Sequence, residues 1–358
     1  MRRFQFTSWR STRSRVLSVA AGALAAVAAM AAPSFAGTVT FGSGVGNTFD
    51  MEFKTIGNPG NAADTGDITG DISNPRKRNG AVAYEYGIGK FEVSRDMITK
   101  YNANFGTTNN LEITLADLTS YGGNGVNRPA TGISWNEAAR FVNWLNTSTG
   151  NQAAYKFADG SAVNADIQLW ASGDAGYDVN NKYRNSLAKY VLPSYNEWYK
   201  AAFYAPNKLG GAGYWDYATG SDTAPTAVAS GTDADTAVYN GRGAAADVDR
   251  AGGLSPYDVM GLNGNAWEWE ESSYDLTNSS VSSSRGFRGG DWDSASDIPL
   301  ISSSRYGSDD AKFEDDYFGF RVVSRSSDPP PAVPEPSMMV IGTLFGLGGL
   351  VAKRRRKK

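Results

Sequence analysis

The segment Gly264-Asn265-Ala266-Trp267-Glu268-Trp269 sets one carboxylate between two indoles, directly after a Gly-Asn pair. A chain that folds around it must bury two of the largest apolar side chains. It must also find a partner for the charge between them, because an unpaired buried carboxylate is costly. Two segments of the same character follow, Arg288-Gly289-Gly290-Asp291-Trp292 and Gly319-Phe320-Arg321. The tryptophans read as core packing in preference to ligand stacking, and Arg305 and Arg321 as braces on loop carbonyls and carboxylates.

The chain has 358 residues, 41% of them hydrophobic and 12% aromatic, enough for a sizeable core. Residues 1–36 read as an export signal addressed to the Sec machinery. Arg2, Arg3, Arg10, Arg13 and Arg15 precede an apolar run from Val16 to Ala32, and Ser34-Phe35-Ala36 supplies a small-residue cleavage site. A retained membrane anchor is the other reading of this segment. At the far end, a Pro-rich linker and Pro-Glu-Pro box (329–336) precede an apolar run and the cluster Lys353-Arg354-Arg355-Arg356-Lys357-Lys358. Removing both ends leaves a body with 23 basic and 36 acidic residues, net −13. That balance disfavours nucleic acid as a partner and suits divalent cations.

Within the body, Thr48-Phe49-Asp50-Met51-Glu52-Phe53 alternates as a half-buried strand, and residues 81–93 read as a strand pair or one long strand. Ser94 is an N-cap for a helix carrying Met97, Ile98 and Tyr101. Ser134-Trp135-Asn136-Glu137 and Ser194-Tyr195-Asn196-Glu197 are capping boxes that open two short amphipathic helices. The aspartates Asp64, Asp67 and Asp71 read as turn chemistry or as a cation loop. From Ala205 to Gly253 the chain is rich in Gly, Asp and Thr and reads as loop.

The order of motifs is similar to that of the sulfatase-modifying factor family, the formylglycine-generating enzyme domain. It runs from Arg128-Pro129 through Ser134-Trp135, Leu192-Pro193-Ser194 to Lys200-Ala201-Ala202, Gly264 to Trp269, Arg288 to Trp292, and Ser304-Arg305 to Gly319-Phe320-Arg321. The resemblance covers core motifs over residues 80–325 within a domain of 38–328. It implies an α+β, C-type-lectin-like fold: loop-rich, with short twisted strands, two or three short helices, and calcium as a structural ion. Carried over residue by residue, Gly264 and Ala266 give carbonyls and Glu268 a carboxylate to one ion, a hard-oxygen set suited to calcium. The family's further ligand falls on Gly261. A second site is expected at Asn240 with Asp247 or Asp249.

The tail resembles the PEP-CTERM signal that exosortases read in bacterial exported proteins, with residues 337–358 forming its hydrophobic helix and basic end. An ordinary tail anchor is the alternative. Fifteen apolar residues rise about 22 Å, short of a hydrocarbon core of about 30 Å. The segment therefore implies transient membrane attachment before processing, and a location in the cell envelope, on the outer surface or secreted.

The resemblance implies an oxidase that holds copper through two cysteines shortly after the Arg-Gly-Gly segment. Those positions fall at about Ser294 and Pro299. The chain contains no cysteine and no histidine, which removes thiolate copper, the histidine iron sites of related sulfoxide synthases, Cys/His zinc and Ser/His/Asp nucleophiles. No catalytic residue and no copper are expected. The leading expectation is a binding or structural module linked to extracellular polysaccharide or a protein ligand. The alternatives are a formylglycine-type enzyme working without copper thiolates, or a hydrolase using a carboxylate pair such as Glu268 and Glu270 or members of the 309–316 acidic cluster.

Overall fold

The computed structural model describes residues 35–65 and 79–326. The apolar N-terminal run, Asp67 and Asp71, the Pro-rich linker and the C-terminal tail lie outside the described residues. Among the described residues no helix is long and apolar enough to cross a membrane.

Two sheets organise the body. In the first, β1 (Gly37–Gly42) pairs antiparallel with β2 (Thr48–Ile56), which pairs with β3 (Tyr86–Gly89). The expected alternation holds in β2, whose Phe49, Met51, Phe53 and Ile56 are buried. The strand expected over 81–93 is only four residues long. Val82 instead accepts a main-chain bond from Gly60, and Glu92 turns into the core. The short β4 (Tyr190–Val191) closes the far edge.

The second sheet is built on β5 (Trp267–Ser273) and β6 (Arg285–Arg288), with β7 (Tyr306–Asp309) on one edge and β8 (Phe318–Gly319), parallel to β5, on the other. The first sheet's β9 (Val323–Ser324) lies between β3 and β4. Three residues, Phe320-Arg321-Val322, therefore carry the chain from one sheet into the middle of the other.

Three helices cover this framework: α1 (Arg95–Tyr101), α2 (Trp135–Ser148) and α3 (Tyr195–Phe203). Each begins where the sequence places a cap. Ser94 Oγ accepts from Met97 N, and Ser134 and Ser194 each form a complete capping box with Glu137 and Glu197. The apolar face of α2 meets the first sheet and the link between the sheets: Phe141 packs on Phe49 at 6.1 Å and on Phe320 at 5.6 Å between ring centroids. Between Ala205 and Gly253 only two-residue ribbons form, as the Gly- and Asp-rich composition predicts.

Ser134 Oγ serves the cap and also lies 2.9 Å from Asn164 Oδ1. Ser134→Ala is expected to lower stability by about 1 to 2 kcal/mol, read as a lower urea midpoint at unchanged m-value.

Candidate functional site

All seven residues of β5 are buried, although three of them are glutamates. Trp267 and Trp269 pack on Phe287 at 5.2 and 5.7 Å, and Trp269 Nε1 donates to Ile133 O at 2.8 Å. The carboxylates are each met by arginine. Arg321 Nε donates to Glu268 Oε2 at 2.6 Å and its Nη2 to Oε1 at 2.5 Å. Arg288 and Arg305 reach the two oxygens of Glu270 at 2.8 and 2.7 Å. Arg184 lies 2.6 Å from Glu271 and 2.9 Å from Glu197. Burial would raise the Glu197 pKa, but the Arg184 charge and its hydrogen bonds outweigh it and bring it down to about 2.

The Gly-Asn turn before β5 ties four segments together. Gly264 has φ +79°, and a Cβ there would lie 2.1 Å from Val238 O, so only glycine fits. Asn265 adopts the left-handed conformation at φ 67°. Its Oδ1 accepts from Ala246 N at 2.8 Å, and its Nδ2 donates to Glu92 Oε2 at 2.6 Å. Glu92 also accepts from Ala266 N at 3.2 Å. Burial, and then the neighbouring Glu268 charge, push the Glu92 pKa up to about 8, with Arg321, Asn265 and Ala266 opposing. Sequence reasoning missed this residue. Its one signal was an acidic side chain inside an otherwise apolar run.

This geometry decides the fit of the expected ion. Glu268 Oε2 accepts from Trp198 Nε1 at 2.7 Å as well as from Arg321, so both its oxygens are already committed, to a guanidinium and an indole. At Gly261 a Cβ would lie 2.9 Å from Glu92 Oε2, so the space beside the position of the family's further ligand is filled from the segment after β3. With both oxygens bound, Glu268 has no free carboxylate oxygen to offer calcium in the set Gly264, Ala266 and Glu268. The second set lies at the surface. Asn240, Asp247 and Asp249 are exposed, Asp249 Oδ1 accepts from Asn127 at 2.9 Å, and Asn240 is held through its main-chain N on Ser294 O. Among the described residues no three His, Cys, Asp or Glu side chains converge in a metal-binding arrangement. Asp64, from the other aspartate loop, accepts from Tyr199 Oη at 2.6 Å.

A profile described as the sulfatase-modifying factor enzyme 1-like domain matches residues 53–326. The chain belongs to this sulfatase-modifying factor family. Among solved structures, Treponema denticola variable protein 1 superposes with a TM-score of 0.53 at 17% identity, covering 81% of this chain and 99% of its own. CarF gives 0.46 at 19% identity over 76% and 98%. PvdO from Pseudomonas aeruginosa gives 0.46 at 16% over 83% and 100%. At these identities the likeness concerns the fold, which is C-type-lectin-like as the resemblance implied. No curated protein sequence matches the chain.

In this sulfatase-modifying factor domain the two positions assigned to copper both lie beside Gly290. A Cβ placed on Gly290 would stand 3.5 Å from Ser294 Oγ and 3.3 Å from Pro299 Cβ. Ser294 Oγ accepts from Asp291 N at 3.1 Å, and Asp291 Oδ1 accepts in return from Ser294 N at 2.6 Å. The serine is thus part of a turn, and proline offers no donor atom. The carboxylate pair Glu268 and Glu270 is fully buried and bound to arginines, so neither carboxylate is open to a substrate.

An open groove of about 550 Å³ lies elsewhere, between β2, the start of α1 and the loop around Asn127. Asp50, Ser94, Asp96, Lys100 and Asn127 give it a polar wall, and Met97 an apolar one. Its polar groups are fixed in place: Asp96 Oδ2 by Lys100 at 2.6 Å, Asp50 Oδ1 by Thr40 Oγ1 at 2.6 Å.

The Glu92 pKa in the folded state lies above that of the unfolded chain, so the folded state holds the extra proton. This group's contribution is complete below the ordinary carboxylate range and is lost as pH rises toward about 8. Burial raises Glu137 to about 7, which adds a loss of the same sign. Glu92→Gln is expected to flatten the fall in stability between about pH 5 and 8, with the difference between variant and wild type isolating Glu92. Urea midpoints across that range check it.

Proposed function

We propose that this chain is an exported, envelope-associated member of the family that binds a ligand without oxidising it, and that the ligand is a hydroxyl-rich chain such as an extracellular polysaccharide. The observation that carries the reading is the pair Ser294 and Pro299, both beside Gly290, at the positions where the resemblance calls for two thiolates. The motifs that build the scaffold are intact around it. The groove beside α1 supports the choice of ligand, because it combines carboxylates, an amide, an ammonium and an apolar wall, and its size is that of a small-molecule site. Export and sorting rest on the arginine-led N-terminal run and the Pro-Glu-Pro tail.

Incubated with copper and a Cys-type sulfatase peptide, the mature protein is expected to yield no formylglycine. Turnover in that assay would overturn the reading. On a glycan array the wild type is expected to bind, and Asp96→Ala with Asn127→Ala to lose most of the signal at unchanged Tm. An array with no binding would favour a purely structural matrix protein.

The same reading includes the calcium question. We propose that the Arg321 guanidinium takes the part of the family's structural ion at the Gly264–Glu268 turn. Since a ligand stabilises only the state that binds it, a chelator is expected to leave Tm unchanged. A fall restored by added calcium would contradict this.

A further inference from the structure

Five arginines in the body are almost wholly enclosed: Arg184, Arg285, Arg288, Arg305 and Arg321. Four of them face glutamates. Arg285, on β6, has no exposure and no carboxylate within ion-pair distance among the described side chains. Its Nη1 donates to Tyr183 Oη at 3.1 Å and to Ser283 O. Its Nε and Nη2 are buried with no acceptor among the described residues.

Two rings crowd the group: the guanidinium carbon lies 4.4 Å from the Trp135 ring and 4.3 Å from the Tyr183 ring. The ring centroids are 6.1 Å apart, so the rings stand at a corner of the guanidinium rather than on its two faces, and neither gives Nε or Nη2 an acceptor. The acidic groups that act on Arg285 from a distance are committed elsewhere. Asp166 pairs with Lys312 at 2.8 Å, Glu271 is bound by Arg184, Tyr155 and Asn181, and Asp310 is exposed.

Buried acid and buried base respond differently to such isolation. Glu92, which also lacks a cation of its own, can take up a proton and become neutral. A guanidinium has no such escape, because it does not deprotonate in proteins. Two parallel N–H donors on one edge are also the fork that binds anions in the plane of the group.

We propose that the Nε/Nη2 edge of Arg285 holds a small inorganic anion, chloride in ordinary media, as a counterion enclosed when the chain folds. The site is independent of the groove and of the Ser294–Pro299 pair. An anion bound only by the folded state raises its stability by mass action.

The experiment compares the full mature protein in chloride and in gluconate at one ionic strength. Chloride is expected to raise Tm with the logarithm of its concentration above Kd, by about 3 °C at some tens of Kd. In Arg285→Met the two buffers should give the same Tm. Crystals of the wild type grown in bromide should show an anomalous peak within hydrogen-bond distance of Nε and Nη2, a readout that stands even if the variant does not fold. Equal Tm in the two salts, or a chloride effect that survives Arg285→Met, or no bromide at that edge, would each overturn the proposal. Asp309 is the register partner of Arg285 on β7. If chloride dependence arises only in Asp309→Asn, the counterion is internal and the anion site is refuted.

Discussion

The bidentate pair between Arg321 and Glu268 is the interaction on which the two-sheet body turns. Arg321 leaves the last strand of the second sheet, binds a carboxylate in the centre of that sheet, and donates to Gly89 O on β3 of the first at 2.9 Å and to Met260 O at 2.9 Å. One side chain thus fixes the distance between both sheets and the loop that leads into the Gly-Asn turn. Buried ion pairs give back much of their attraction in desolvation, so their effect here lies more in fixing geometry than in added stability. The same device recurs along β5: Glu270 with two arginines, Glu271 with one. Arg288 reinforces the contact with the neighbouring β6, while Arg184 and Arg305 tie the strand to segments outside its ladder. Gly286 is part of this arrangement, since a Cβ there would lie 2.2 Å from Arg305 Nη2.

Local features of the fold were legible in the sequence. The three helix starts depend on a serine and on residues within one turn of it, and the alternation of β2 needs only its neighbours. The shape of the core around β5 was only half legible. That the tryptophans pack and that Arg305 and Arg321 brace carboxylates could be read from residue type. The identity of the partners could not, because Glu268 meets Arg321 53 residues later and Asn265 meets Glu92 173 residues earlier. The surroundings of the expected calcium set were hidden for the same reason. Read along the chain, Gly264, Ala266 and Glu268 present three oxygens to a cation. In space a guanidinium from the link between the sheets is bound to the charged one.

The separation between scaffold and chemistry also becomes physical in this arrangement. The arginine pairs and indoles that define the fold belong to strands and their connections. Ser294 and Pro299 sit half-buried on the loop after Gly290, held by the Asp291 turn and by Leu300. Side chains there can change without touching Glu268, Trp269 or Arg321. A fold can therefore be recognised securely from its core motifs while the residues at the positions assigned to copper differ.

The three-residue link Phe320-Arg321-Val322 also governs when the body can close. It delivers β8 to the second sheet, β9 to the gap between β3 and β4, and the guanidinium to Glu268, all within residues 318–324. Until those residues leave the ribosome, both sheets lack a strand and the central carboxylate lacks its cation. Contacts of such long sequence separation form late and slowly. The stretch that locks the body directly precedes the Pro-rich linker.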